Sequence, residues 1–262
     1  MAHGTEFQGI AGLYSDYRPS YPAAMIDAIA RYTGIDNDAK QNGAVIIDVG
    51  SGTGISTRLL RERFDAAVTV LGLEPNDDMY TTAVSFPGSY KNLAYLHCAA
   101  EDLPFKDNTV SGVMAAQAVQ WFNRPMFYKE VSRVLRPNGF FALLQNNRDW
   151  ESDAFLAAYE ELLEKYSPGY SRHYRSFDLP QEMKSINGMT AFETHNDSWK
   201  RTISKDDFLG FAMSSTKVQA AMKNAGAEYI KELILQLIKE QTGDSNTFKI
   251  AYKTELFLVR KM

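Results

Sequence analysis

Residues Val45 to Ser56 read VIIDVGSGTGIS, an apolar run closed by an aspartate, then glycines at 50, 52 and 54 ahead of an amphipathic stretch. AVIIDV (44–49) has the length and β-branched content of a buried strand, and ISTRLLRERF (55–64) has helical periodicity. A plain strand-to-helix connection does not need three glycines. Without Cβ atoms they permit a tight turn and close approach of backbone N–H groups to a ligand. The helix that follows adds its positive N-terminal end. A dinucleotide fingerprint would want glycine at 55, where Ile55 stands, and a P-loop would want a Gly-Lys-Ser/Thr ending that is absent. GxGxG suits a nucleoside with a small zwitterionic tail better than a pyrophosphate. Glu74, 20 residues beyond Gly54, ends the next apolar run, VLGLE. An acid there is placed to accept hydrogen bonds from both hydroxyls of a ribose.

The same alternation continues along the chain. Strands are expected at 67–74, 92–100, 109–119 and 140–147, with helices at 76–86 and 125–135 and a turn at RPNG (136–139). This is the pattern of a parallel sheet covered on both faces, with ligands at the C-terminal strand ends. The second half reads differently. Helices are expected at 153–166 and 227–241 and strand-like segments at 191–203 and 248–261.

Composition limits the functions open to such a chain. With 262 residues, 45% hydrophobic and 23% charged, it is long enough for one large α/β domain and its core. Residues 1–150 carry 13 basic and 16 acidic side chains and the remainder 15 and 16, so neither part has the positive footprint of a nucleic-acid binder. The one cysteine, Cys98, cannot form an intrachain disulfide and reads as a small buried hydrophobe. MAHGTEFQGI lacks a basic n-region followed by an apolar stretch, and no apolar run approaches the ~18 residues of a membrane span. The expectation is a cytoplasmic protein without membrane or nucleic-acid partners. AHGTEF reads as a possible cloning remnant, and His3 is given no role.

Taken in order, IIDVGSGTG, LGLEPNDDM, AAEDLPF, VMAAQAVQWF and EVSRVLRPNGFFAL resemble the class I S-adenosylmethionine-dependent methyltransferases, and more narrowly the methyltransferase type 11 group. The opening YSDYRPSYP (14–22) is similar to the N-terminal signature of trans-aconitate methyltransferase-like enzymes. The resemblance implies a Rossmann-like, doubly wound, mostly parallel seven-stranded sheet with helices on both faces and a small helical lid. It implies one domain over 1–262: a cofactor-binding core at 14–148, lid segments at 149–190 and 204–242, and late strands at 191–203 and 247–260.

By that resemblance the cofactor is S-adenosyl-L-methionine, the product is S-adenosyl-L-homocysteine, and no metal is expected. Gly50, Ser51 and Gly52 would line its methionine part, with Asp48 anchoring the loop. Glu74 would hold the ribose, and Pro75, Asn76 and Met79 would flank ribose and adenine. Ala100 with Glu101 or Asp102 would read the adenine edge. Relatives often carry Asp where Ala99 stands, so which of the two acids meets the exocyclic amine stays open. Gln117 and Ala118 would sit beside the methionine chain, and Tyr14 and Arg18 would close over it, Arg18 facing the carboxylate.

The activated methyl needs a nucleophile held in line in a dry pocket, with a base only if the acceptor is protonated. No base is identified. The candidates are His173, Gln120 (where relatives commonly have His) and Asp149. Tyr17, Trp121, Tyr170, Arg172, His173, Tyr174 and Arg175 are candidates for the acceptor, with arginines for an anion and rings for a planar group. FLGFAMSSTKV (208–218) is a further candidate wall. The expected activity is methyl transfer to O or N of a small organic acid or secondary metabolite, by a monomer or homodimer. RNA or protein methylation, an NAD-dependent dehydrogenase and a non-catalytic cofactor-binding regulator are the alternatives.

Overall fold

A computed structural model describes residues 9–35, 43–88 and 90–262. His3 and the AHGTEF segment lie outside the described residues. The described residues contain a seven-stranded sheet of order β3-β2-β1-β4-β5-β7-β6. Its strands are β1 (Ala44–Val49), β2 (Val68–Leu73), β3 (Leu93–Leu96), β4 (Val110–Ala116), β5 (Leu135–Arg148), β6 (Met189–Ser204) and β7 (Thr247–Lys261). β1 pairs in parallel with β2 and β4, and β7 is antiparallel to both β5 and β6. The order reverses between β1 and β4, which is where α/β sheets of this kind bind ligands.

Alternation along each strand sends neighbouring side chains to opposite faces. Ile46, Met114, Phe140, Leu256 and Leu258 pack with Met25, Ile26 and Ile29 of α2 (Ala23–Thr33). Ile47, Val113, Phe141, Phe257 and Val259 pack with Phe127, Val131 and Val134 of α5 (Arg124–Val134). α1 (Ala11–Tyr17) precedes α2, and α3 (Ile55–Arg63) and α4 (Asp77–Ser85) lie between α2 and α5.

β6 and β7 run on beyond the end of β5, and their far ends carry a third core. Ile203, Phe248, Ile250 and Tyr252 meet buried residues of four helices there. These are α6 (Ala154–Tyr166), α8 (Lys205–Met213), α9 (Thr216–Ala225) and α10 (Ala227–Thr242). A short helix, α7 (Leu179–Lys184), closes the 167–184 segment against the second core through Leu179 and Met183.

Several elements depart from the sequence expectation, and β4 stops at Ala116 rather than 119, because Gln117 turns left-handed at φ 53°. β3 ends at Leu96, because residues 97–99 leave the sheet. β5 begins at Leu135 and takes in RPNG, since Leu135 already pairs with Val110 and a register shift between Val110 and Gly112 absorbs the extra residues, with Asn138 left-handed at φ 63°. The 208–218 stretch is two helices that part at Ser214–Ser215, where the Ser215 hydroxyl accepts the Lys217 N–H. On the outer edge, β6 has a register irregularity between Thr190 and Glu193, with Ala191 at φ 52°.

Candidate functional site

The glycine loop leaves β1 with Gly50, Gly52 and Gly54 all left-handed, at φ 69°, 56° and 83°. Their missing side chains serve different ends. A Cβ on Gly50 would lie 2.6 Å from the Ala118 Cβ and 2.9 Å from the Phe122 ring, and one on Gly54 would lie 2.2 Å from the Tyr95 hydroxyl. Those two glycines allow protein to pack on the loop. A Cβ on Gly52 would meet nothing within 4 Å. The expectation that the loop N–H groups serve a ligand needs correction. Gly50 and Ser51 donate to the Leu73 carbonyl at 2.8 and 3.0 Å, and Gly52 donates to Glu74 Oε2 at 2.8 Å. The tightness of the turn points these groups at the end of β2.

Glu74 also accepts the Asn76 N–H on Oε1 at 2.8 Å, so each oxygen holds one backbone donor. A carboxylate has about four acceptor positions, and two remain. Burial pushes the Glu74 carboxyl up, while the Asn76 and Gly52 donors hold it down. Asp48 is fully enclosed. Its Oδ2 accepts the Ser56 and Thr57 hydroxyls at 2.6 and 2.7 Å, tying β1 to the first turn of α3. Its Oδ1 is buried without a hydrogen-bond partner, as is Ser51 Oγ. Burial moves the Asp48 carboxyl up to about 6, against the two hydroxyl donors.

A cavity of about 710 Å³ opens beside this loop. Gly50, Ser51, Gly52 and Glu74 form one wall. Pro75, Asn76 and Met79, at the start of α4, form the next, with the Asn76 side chain capping the Met79 N–H at 2.9 Å. Ala99, Ala100 and Glu101 line the far side, and Gln117, Ala118, Trp121 and Tyr14 complete it. The Glu101 carboxylate accepts the Asn123 N–H at 2.7 Å. Asp102 is exposed and does not line this cavity, and neither do Asp48 and Arg18.

A second, polar cavity of about 430 Å³ shares Tyr14, Tyr21, Ile55, Gln117 and Trp121 with the first. It receives Arg18, whose guanidinium lies 4.6 Å from the Tyr14 ring centre and 4.9 Å from that of Phe211 and donates to the Ser214 carbonyl at 3.2 Å. Burial lowers the Arg18 pKa from its ordinary value. Gln120, Asp149, Trp121, Tyr170, Arg172, His173, Tyr174 and Arg175 line it too. Tyr17 stands apart, with its ring against Gly210 and its carbonyl accepting from Arg201.

Most charges here are neutralised within the protein. Asp149 is bound by the Ser152 hydroxyl at 2.6 Å and Lys253 at 3.0 Å, Glu160 by Arg148 at 2.6 Å, and Arg172 by Glu164 at 2.7 Å. Burial opposes the Asp149 charge, but Ser152 and Lys253 hold the carboxyl below its usual range. The His173 ring packs edge-on to Trp150, with centroids 5.4 Å apart. Gln117, at φ 53°, and Gln120 each bury a side-chain oxygen without a hydrogen-bond partner.

Lining residues outside the predicted site set include Tyr21, Asn147 and Glu255, while Lys217 lies within the expected 208–218 wall. Tyr21 stands in the quoted YSDYRPSYP, and Asn147 ends the expected fifth strand, so position could have found both. Glu255 reaches the wall only because β7 lies beside β5, which spacing does not reveal.

Residues 47–143 match a family model described as a methyltransferase domain. A Dictyostelium discoideum protein named as a methyltransferase is 27% identical over 98% of this chain and 95% of its own. An uncharacterized methyltransferase of Mycobacterium bovis is 33% identical over 55% of this chain, which spans 53% of that protein. Among solved structures, a type II methyltransferase from Anaeromyxobacter dehalogenans superposes with a TM-score of 0.67 at 23% identity, covering 93% of this chain and 98% of that one. Residues 47–143 thus match a methyltransferase domain in sequence, and the sheet that carries them shares its fold with the Anaeromyxobacter structure.

Proposed function

We propose that this chain transfers the methyl group of S-adenosylmethionine to an O or N atom of a small molecule. The observation that carries the reading is a pair of adjoining cavities, one at the glycine loop and Glu74 and one polar, with Gln117, Trp121 and Tyr14 common to both. The residues present fit the cofactor. The Gly52 surface is open, Glu74 has acceptor positions to spare, and Asp48 Oδ1 and Ser51 Oγ are buried without partners.

When bound, the sulfonium supplies an activated methyl group and its own leaving group. Glu74 would hold the ribose hydroxyls. Pro75, Met79 and Ala100 would sandwich the base, and Glu101 rather than the exposed Asp102 would lie near its edge. Gln117 and Ala118 would flank the methionine chain, and Arg18, stacked on Tyr14 at the junction of the cavities, would meet its carboxylate. The protein then contributes proximity and exclusion of water rather than acid–base chemistry. The acidic balance of the sequence supports a small acceptor over RNA.

The test is binding of S-adenosylhomocysteine by calorimetry. We expect micromolar affinity in the wild type and loss of at least 50-fold in Glu74→Ala. We expect a comparable loss in Gly52→Val, where the new side chain meets a left-handed backbone and the open loop surface. Unchanged affinity in both folded variants removes the site.

A further inference from the structure

Beside the polar cavity lies a smaller pocket of about 100 Å³, which shares Gln120, Asn147, Arg175, Phe177 and Glu255 with it. An unpaired cation and an unpaired anion both line this pocket. Arg175 donates from Nη1 to the neutral Asn147 Oδ1 at 2.8 Å, and its guanidinium lies 4.8 Å from the Tyr174 ring centre. Its Nε is buried without a hydrogen-bond partner. Glu255 stands on β7 opposite Gln145 of β5, and its carboxylate has no hydrogen bond or ion pair among the described residues. Burial pushes the Glu255 carboxyl up, with Lys253 the opposing charge.

The neighbouring charges are engaged elsewhere. Lys253 binds Asp149 at 3.0 Å and Glu151 at 2.7 Å, and Arg148 binds Glu160. Arg124, whose guanidinium lies 3.8 Å from the Phe177 ring centre, binds Glu182 at 2.9 Å. Arg175 and Glu255 are thus left to one another, yet they form no ion pair although both line one small pocket. A guanidinium and a carboxylate in contact would make strong charge-assisted hydrogen bonds, and leaving either half-buried without a partner is costly.

A guest that satisfies both must accept from the guanidinium and donate to the carboxylate. A carboxylate guest accepts but cannot donate, and Glu255 repels it. An ammonium donates but cannot accept, and Arg175 repels it. The formal charges of the lining residues cancel, which suits a neutral guest. A hydroxyl and a primary carboxamide each carry donor and acceptor on one neutral group. The volume admits roughly three water-sized atoms. Phe177, Leu179 and Phe257 supply apolar wall for the carbon that bears the group. Gln145 lines the same pocket, is 4% exposed, and buries its Oε1 without a partner.

Resting on the methyl-transfer reading above, we infer that this pocket is a recognition subsite for the acceptor, seating a neutral hydroxyl or primary carboxamide between Arg175 and Glu255. The seated group is not the methylated one, because the pocket shares no lining residue with the cofactor cavity. The acceptor therefore carries its nucleophile at a second position, reached across the polar cavity towards Gln117 and Trp121. Binding of the remote group holds that nucleophile in place. Arg175 and Glu255 determine specificity and do not touch the reacting atoms.

The experiment titrates the full chain, with and without saturating S-adenosylhomocysteine, with four probes at pH 7 and fixed ionic strength. The probes are benzyl alcohol, benzamide, benzoate and benzylammonium, followed by ligand-observed NMR. Benzyl alcohol or benzamide is expected to bind about fivefold or more tighter than both charged probes. Which of the two leads tells a hydroxyl guest from a carboxamide. Glu255→Gln should tighten benzoate, and Arg175→Gln should tighten benzylammonium, each by about fivefold or more. Affinity for S-adenosylhomocysteine should stay within about threefold in both variants, since neither residue lines the cofactor cavity. A merely structural role would instead weaken all four probes together. A charged probe leading in the wild type, four equal affinities, no binding of any probe, or unchanged preferences in both variants overturns the inference. Failure to bind S-adenosylhomocysteine overturns the methyl-transfer reading, and the titration without it then reports on the pocket separately.

Discussion

Asp48 is the residue whose cost is most visible. Enclosed at the end of β1, its carboxyl is moved by burial up to about 6, although Ser56 and Thr57 donate to it. A raised carboxyl binds more protons folded than unfolded between its two pKa values. Its contribution is therefore complete below the unfolded value and lost as pH rises through the folded one. Urea unfolding between pH 4 and 7 should show this component of stability falling towards pH 6, by on the order of 2–3 kcal/mol. Asp48→Asn keeps an oxygen for the two hydroxyls and should flatten that dependence. At this scale the glycine loop and Glu74 were legible, because a ligand-bearing turn requires unusual residue types at fixed offsets. The division of labour within the loop was not. Gly50 and Gly54 answer to Phe122 and Tyr95, which are distant in sequence, and Glu74 reaches Gly52 only because β1 and β2 end side by side.

Among the elements, α6 bears the heaviest electrostatic duty. Glu160 is 3% exposed and joins Arg148 at the end of β5 at 2.6 Å while accepting the Tyr170 hydroxyl at 2.6 Å. Burial opposes its charge, yet Arg148 and Tyr170 hold its carboxyl below the usual range. Glu160→Ala leaves Arg148 enclosed without its partner, near Arg18. Such a loss costs about 3–5 kcal/mol, to be read as a fall in the urea midpoint at unchanged slope. Two helices of the cap, α6 and α10, were legible from periodicity, α10 burying Ile230, Ile234 and Ile238 at the expected spacing, while α8 and α9 were not. Strand limits were less so. LHCAA continues the apolar character of β3 after the chain has left the sheet, and RPNG has the composition of a turn while a bulge keeps it within β5. The Ser214–Ser215 break was available in principle, since serine before a helical run is a capping signal.

At the scale of the whole molecule, the sheet with its two flanking cores and the cap of α6, α8, α9 and α10 with the third meet around the polar cavity. Cavity residues come from both, Gln117 and Asn147 from the sheet side and Phe211, Ser215 and Lys217 from the cap. A ligand spanning the junction should stabilise the fold as a unit. At 100 times its dissociation constant, S-adenosylhomocysteine should contribute about 2.7 kcal/mol. That corresponds to a rise in Tm of roughly 5–10 °C for a chain of this size, measurable by scanning calorimetry and expected to be smaller in Glu74→Ala at the same concentration. The parallel core and the two late strands were readable from the sequence. The cap's packing was not, since its helices show their period but not the partners that cover their apolar faces.

The outer rim of the sheet has a consequence of its own. β6 is 16 residues long, and half of its backbone hydrogen-bonding groups face away from β7. Glu193, Asp197, Lys200 and Arg201 set charges of both signs along it, and the register irregularity at Ala191 interrupts its first residues. A long flat rim would be a template for cross-molecular fibril growth. This one, charged and bent, is a poor template for such pairing, so the molecule can extend the antiparallel β6–β7 pair to support its cap without offering crowded surroundings a seam on which to polymerise.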